Sequence, residues 1–224
     1  MKDILEKIHS EIRDSKSNVR LMCVSKNHPY QAVEEAYKLG ERLFGENRVQ
    51  EVASKFPKKE DRPKDLELHL IGHLQSNKCK KAVELFDSID SVDSIKILNK
   101  INNSAKAINK KIDIMLEYNS SKDENKTGFE NYEKIKEAAQ LAISLENVNL
   151  KGILTIGPLN GDEKQIREAF RLVKNIKGKL ENELNIKIDE LSMGMSGDYN
   201  IAISEGSTII RIGTKIFGQR DYSK

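Results

Sequence analysis

The sequence predicts an α/β protein whose one domain, residues 1–224, is a (β/α)8 TIM barrel. Segments typical of buried strands alternate with amphipathic helical segments along the chain, which is the pattern of a parallel sheet covered by helices. The length of 224 residues lies towards the lower end of the range for such barrels. The rival fold, a doubly wound open sheet, would need a glycine-rich phosphate fingerprint after the first strand, and VSKNHP at that place contains no glycine.

The predicted elements follow in a regular order. An amphipathic helix opens the chain, with Ile4, Leu5, Ile8 and Ile12 on one face. Apolar or alternating runs then predict strands within 19–24, 42–47, 66–76, 86–94, 112–119, 150–158, 188–196 and 207–218. The helices predicted between them end near positions 40, 56, 85, 107, 145, 184 and 205.

Composition argues against several classes of protein. The 38 basic and 35 acidic residues are well mixed and leave a net charge of +3, which gives no strong electrostatic footprint for nucleic acid. No apolar run approaches the roughly 20 residues that a membrane helix needs, and the charged N-terminus has no signal-peptide core. Two cysteines, Cys23 and Cys79, lack CxxC spacing, so we expect reduced thiols and a cytoplasmic location.

Polar and glycine residues gather where the predicted strands end. In a barrel of this kind the functional site lies at the carboxyl ends of the strands. The residues at that edge are Ser25 and Lys26, Gly45 to Asn47, Gly72 and His73, Tyr118 and Asn119, Thr155 to Pro158, Met193 to Asp198, and Arg211, Gly213 and Thr214. We therefore expect these positions to converge on one mouth.

Two of these segments predict a phosphate site. SMGMSGD runs from a strand into a helix, and RIGTKIFG continues the last strand. Their glycines and hydroxyl residues can offer backbone N–H groups and side-chain donors, and barrels often bind phosphate at these last two loops. Plain turn glycines are the alternative, and the presence of both segments on neighbouring strands favours the phosphate.

Lys26 ends a strand that reads as buried. A partly desolvated ammonium has a lowered pKa, and a neutral amine can form a Schiff base with an aldehyde. An aldehyde that carries a phosphate would suit both Lys26 and the phosphate site, and pyridoxal 5′-phosphate (PLP) is such a ligand. Arg211 could face its pyridine nitrogen and keep that nitrogen unprotonated. The alternative for Lys26 is an ion pair with a nearby carboxylate such as Glu46.

Several motifs resemble those of the pyridoxal phosphate homeostasis protein family. They are CVSKNHP, LFGENRVQE, HLIGHLQSNK, LTIGP, LSMGMSGDYNIAI and GSTIIRIGTKIFGQR, in order from about residue 19 to 220. The resemblance implies a barrel like the N-terminal domain of alanine racemase, with PLP as a Schiff base on Lys26. The cofactor-binding residues that it implies are Lys26, Asn47, Met195, Ser196, Arg211, Gly213 and Thr214.

The resemblance also assigns roles within that set. It implies phosphate binding around Ser196, Gly213 and Thr214, and Arg211 beside the pyridine nitrogen. Asn27 and Gly197 depart from the residues that the family often has at those places. The segment SSKDENKTGF is like the family's lysine–glycine loop, so Lys126 is a candidate second acceptor of the aldehyde.

Three kinds of function follow from this interpretation. The favoured one is a PLP carrier in vitamin B6 homeostasis without robust catalysis, which we expect to be a monomer and to have PLP-dependent apo-enzymes as partners. The alternative is a PLP-dependent amino-acid racemase, which needs an acid–base group on each face of the ring. The resemblance implies that full-length alanine racemases supply the second group from a tyrosine in an added β-domain of a partner chain, and we expect no such domain in this chain, which stops at Lys224. The third kind, an RNA- or protein-binding module, is supported only by the segment KFPKKEDRPK and the N-terminal lysines, and the interleaved acidic residues favour a solvated face instead.

We predict structural roles, and not metal binding, for the histidines and aspartates of the third and fourth predicted strands. His69 and His73 are four residues apart without further zinc ligands, so a metal site is not expected. We expect His69 on the surface or flank of the barrel and His73 near the mouth. Asp90 and Asp93 are interpreted as helix-capping residues, and Ser94 is the alternative to Asp93 at the start of the helix that ends near position 107.

Overall fold

The computed structural model describes residues 1–56, 58–121 and 127–218, and in these ranges eight parallel strands form a closed barrel in sequence order. The strands are β1 (Arg20–Val24), β2 (Leu43–Glu46), β3 (Glu67–Leu70), β4 (Ser88–Val92), β5 (Ile112–Tyr118), β6 (Val148–Thr155), β7 (Glu190–Ser192) and β8 (Ile209–Ile212). Cys23 of β1 pairs with Phe44 of β2 on one side and with Ile212 of β8 on the other, which closes the ring. The predicted fold class is confirmed.

Helices cover the outside of this barrel. They are α1 (Lys2–Asp14), α2 (Tyr30–Lys38), α3 (Val49–Lys55), α4 (Cys79–Leu85), α5 (Ile95–Ala107), α6 (Tyr132–Ser144), α7 (Glu163–Leu184), α8 (Tyr199–Ser204) and α9 (Thr214–Phe217). The side chains of Ser94, Asn131 and Asp162 cap α5, α6 and α7 by accepting a backbone N–H three residues further on. Of the helices described, none has the length and apolar character needed to cross a membrane.

Two hydrophobic layers hold the sheet. The larger lies between the strands and the helices, and the smaller fills the inside of the barrel. The inner layer consists of Met22, Leu43, Met115, Leu154 and Ile209, with Ile71 and Ile156 packed against it. Since side chains alternate along a strand, this layer also shows which residues of each strand point inward.

A cluster of charged and polar side chains lies at the amino-terminal end of the barrel, with His69, Ser88 and Asp90 buried and Arg20 and Glu67 partly exposed. We call Arg20, Glu67, His69, Ser88 and Asp90 the axial cluster. His69 is 3% exposed, and its ring nitrogens lie 2.8 Å from Asp90 Oδ2 and 2.7 Å from Glu67 Oε1. Arg20 hydrogen-bonds Glu67, and Ser88 Oγ donates to Asp90 Oδ1 at 2.5 Å. Buried charged groups are stable only when they are paired in this way.

The axial cluster corrects two predictions from the sequence. His69 is not on the surface or flank of the barrel, because it shares the inward face of β3 with Ile71. Asp90 does not cap a helix, because it is fully buried within β4 and bonded to His69. Ser94 is the cap of α5, while Asp93 bonds His73 Nδ1 at 2.7 Å.

The two carboxylates determine the charge of His69. Burial by itself would lower the pKa of the imidazole, but Asp90 and Glu67 outweigh burial and raise that pKa to about 10. His69 is therefore an imidazolium at neutral pH. Its stabilising contribution is complete below the pKa of an unfolded histidine, about 6.5, and is lost as pH rises through about 10.

We expect His69→Asn to remove this pH dependence. The unmodified chain should be more stable than the variant at pH 7, and this difference in unfolding free energy should shrink as pH rises. The slope is up to about 1.4 kcal/mol for each pH unit, because only the unmodified chain binds an extra proton when it folds. Urea unfolding at pH 6, 7, 8 and 9 measures the difference. A difference that stays constant over this range would mean that His69 is neutral throughout.

Candidate functional site

The predicted cofactor-binding residues surround a single cavity at the carboxyl-terminal mouth of the barrel. Its volume is about 300 Å³, at the lower end of the range for small-molecule sites. The predicted residues that line it are Lys26, Asn47, Met195, Ser196, Arg211, Gly213 and Thr214. The convergence of these strand ends is thus a property of the fold, while the binding of a cofactor by them stays a prediction.

Lys26 lies just beyond β1, on a tight turn. His28 N donates to Ser25 O at 3.1 Å, and Asn27 inside this turn has a φ of +61°. Asparagine tolerates this left-handed conformation better than most residues do. The Lys26 side chain is half-buried and reaches the cavity. Glu46, the partner named in the ion-pair alternative, instead lies 2.7 Å from Lys55 Nζ.

Arg211 is a buried cation at the cavity. It lies on β8, is 4% exposed, and donates to Ser192 Oγ and to Thr155 O, both at 2.8 Å. These bonds use two of the five N–H donors of a guanidinium and fix its plane. Burial lowers the pKa of Arg211 to about 10, against the opposing charges of Asp90, Asp198 and Glu117. Arg211 therefore remains charged at neutral pH.

The predicted phosphate loops lie side by side. Asp198 Oδ1 accepts the N–H of Met195 at 2.6 Å, which folds the loop around Ser196 and Gly197. A Cβ at Gly213 would lie 2.9 Å from Val24 O, so a side chain there would push the ends of β8 and β1 apart. Glycine at this place lets the loop after β8 approach the strand that leads to Lys26.

Asn47 is placed by a close backbone approach. A Cβ at Gly72 would lie 2.4 Å from Asn47 O, a distance that forbids any side chain at position 72. The motifs LFGEN and HLIGH are therefore packed against each other at this edge. Of the two methionines after β7, Met195 lines the cavity and is 37% exposed, whereas Met193 is fully buried in the core.

Sequence reasoning missed the apolar wall of the cavity and one acid beside it. Val24, Ile71 and Leu154 form the wall together with Ile156, which belongs to the predicted mouth segment Thr155 to Pro158. Alternation of side chains along a strand could have identified such residues. Val24, for example, stands two residues before Lys26 and so lies on the same face of β1. Glu117, an inward residue of β5, is also buried, and its charge acts on Arg211.

Glu117 belongs to a small polar group across the mouth. Its Oε1 accepts the Thr127 hydroxyl at 2.8 Å. Burial raises the pKa of the Glu117 carboxyl, and the charge of Asp93 adds to this effect. His73, predicted near the mouth, bonds Asp93 and acts electrostatically on Glu117, but it does not line the cavity.

Comparison with known proteins gives a consistent result. The family model described as "Alanine racemase, N-terminal domain" matches residues 4–221. The pyridoxal phosphate homeostasis protein of Aquifex aeolicus is 38% identical over 206 residues, 91% of this chain and 88% of that protein. The human protein of the same name is 39% identical over 214 residues, 92% of this chain and 78% of that protein.

The solved structures include one with the cofactor. PipY of Synechococcus elongatus PCC7942, with PLP bound, is 37% identical, with a TM-score of 0.87 over 97% of this chain and 99% of that one. The likeness thus spans nearly the whole chain in both sequence and structure. This chain belongs to the pyridoxal phosphate homeostasis protein family, whose barrel is that of the alanine racemase N-terminal domain.

Proposed function

We propose that this chain binds PLP as a Schiff base on Lys26 and acts in intracellular vitamin B6 homeostasis, without robust catalysis of its own. The observation that carries the proposal is the cavity itself, which combines an amine, a buried arginine and two glycine-containing loops. The names of the relatives support the proposal, as does the PLP bound to PipY.

Each functional group of PLP has a counterpart in the cavity. When bound, PLP supplies an electrophilic aldehyde carbon and an electron-accepting ring. The amine of Lys26 would attach the aldehyde, and Ser196, Thr214 and the backbone at Gly213 would bind the phosphate. Arg211 would lie beside the pyridine nitrogen and keep it unprotonated, because two adjacent cations repel. Asn47 and Met195 would line the ring.

The surroundings of the cavity favour a carrier over a racemase. Tyr118 ends β5 and Tyr199 begins α8, and neither lines the cavity, as a second acid–base group would have to do. Tyr118 is buried in the outer core, and the Tyr199 hydroxyl bonds Glu11. Glu117 beside Arg211 is the observation that keeps amino-acid racemisation as the second candidate.

Further parts of the proposal concern the whole protein. We infer that residues 1–224 act as one PLP-binding domain, that the protein is a cytoplasmic monomer, and that PLP-dependent apo-enzymes are its partners. Both cysteines are free thiols, which supports a reducing compartment. Lys126, the candidate second acceptor, lies outside the described residues.

Lys26→Ala should abolish covalent attachment of PLP. The unmodified chain with added PLP should show a visible Schiff-base absorbance band that borohydride reduction traps, and the variant should show neither. Lys38→Ala is the matched control, since Lys38 is exposed on α2 and pairs with Glu34. Absorbance spectra and mass spectrometry of reduced peptides measure the outcome. Equal trapping in Lys26→Ala would contradict the proposal.

Ser196→Ala with Thr214→Val should weaken PLP binding but leave the affinity for pyridoxal, which lacks the phosphate, nearly unchanged. Loss of hydrogen bonds to a charged group, each about 1.5–3 kcal/mol, predicts a rise in the PLP Kd of roughly 10-fold or more. Absorbance titration with both ligands separates the two effects. A parallel loss for pyridoxal would show that these hydroxyls do not bind the phosphate.

Racemisation of alanine should be absent or negligible in the PLP-bound chain. The expectation follows from the position of Tyr118 and Tyr199 away from the cavity. Circular dichroism or a coupled assay with L-alanine, with and without Lys26→Ala, measures the rate. A clear rate that disappears in Lys26→Ala and falls in Glu117→Gln would favour the racemase instead.

A further inference from the structure

A second lysine lies beside the turn that carries Lys26. Lys55, the last residue of α3, has a side chain only 7% exposed. Its Nζ lies 2.7 Å from Glu46 Oε1, 2.8 Å from Glu51 Oε1 and 2.9 Å from Ser25 O. An ammonium has three N–H donors, and these oxygens provide one acceptor for each.

The same contacts tie the residues on both sides of Lys26. Ser25 Oγ donates to Glu46 Oε1 at 2.7 Å, while Ser25 O receives Lys55. On the other side, Asn27 N donates to Glu51 Oε1 at 2.5 Å. Ser25 and Asn27, the residues on either side of Lys26, are thus attached to two carboxylates that share one buried cation.

The two carboxylates depend on that cation in different degrees. Glu46 is fully buried, and its second oxygen, Oε2, has no hydrogen-bond partner among the described residues. Burial raises the pKa of the Glu46 carboxyl, and Lys55 opposes that rise. Glu51 is only partly buried. Removing the cation would therefore leave an uncompensated buried charge next to Ser25.

We propose that Lys55 is a positioning residue for Lys26: through Ser25, Glu46 and Glu51 it fixes the turn from which the Lys26 amine enters the cavity. The inference rests on the proposed function, in which Lys26 attaches PLP. Lys55 itself does not line the cavity. A lysine side chain has many rotamers, so a fixed backbone origin determines how often its amine lies at the attachment position.

Lys55→Met removes the ammonium and keeps the length of the side chain. Lys110→Met is the matched control, because Lys110 Nζ is also partly buried and donates to two backbone carbonyls, Val83 O at 2.6 Å and Phe86 O at 2.7 Å. Both variants lose a buried ammonium. Only Lys55→Met should alter the attachment of PLP.

The measurements are made on the full chain. PLP titration should give a Kd raised about 10-fold in Lys55→Met, as expected if the fraction of the chain with the Lys26 amine at the attachment position falls by that factor. Borohydride trapping with peptide mass spectrometry should show less adduct at Lys26. In the cofactor-free protein, the rate at which a small aldehyde, formaldehyde with cyanoborohydride, modifies Lys26 should fall as well. Lys110→Met should match the unmodified chain in all three.

A second pair of variants, at Glu51, tests the proposal if Lys55→Met does not fold. Glu51→Ala removes the acceptor of the Asn27 N–H and should lower the trapping of PLP at Lys26. Glu51→Gln keeps an acceptor oxygen and should restore most of it. A role in stability alone would predict that trapping follows unfolding free energy across the variants rather than the presence of the acceptor.

The outcomes separate the two proposals. If the unmodified chain does not trap PLP at Lys26, the proposed function fails and the positioning role fails with it. If the unmodified chain traps PLP and Glu51→Ala and any folded Lys55→Met do so equally well, only the positioning role is wrong. An equal loss in Lys110→Met would also overturn it.

Discussion

The pairing of the last strand with the first is the constraint on which the site depends. It sets β8 beside β1, with Met22 opposite Arg211 and Cys23 opposite Ile212. The loops that follow these strands therefore meet, although they lie at opposite ends of the sequence. Gly213 permits the final approach, because a Cβ there would lie 2.9 Å from Val24 O. Lys26, Arg211 and the loop after β8 share one cavity as a result.

The composition of the site was predictable because its signals are local. A strand end can be recognised from an apolar run that stops at a polar residue, and the carboxyl ends of barrel strands lie on one face. This reasoning located Lys26 and Arg211, and the cavity contains both. The Ser94 cap of α5 was predictable for the same reason, since a cap depends on residues within one turn.

The features that could not be predicted from the sequence depend on contacts between distant segments. His69 reads as an ordinary strand residue. Glu67 stands two residues before it on the same face of β3, but Asp90 becomes its neighbour only when β3 and β4 pair. Lys55 reads as a helix-surface lysine near a charged loop. Its burial arises because Glu46, on the outer face of β2, lies close to the end of α3. Charge and spacing alone do not distinguish such residues from solvated ones.

The filled interior of the barrel has a consequence for the kinetics of any ligand bound at the mouth. Below the cavity lie the inner hydrophobic layer and then the axial cluster, so in the described ranges side chains fill the barrel between its two ends. A molecule that leaves must use the route by which the next one arrives. Release of one ligand and binding of the next therefore take place one after the other at the mouth of the barrel. A protein that docks at the mouth to receive the ligand would at the same time block its replacement.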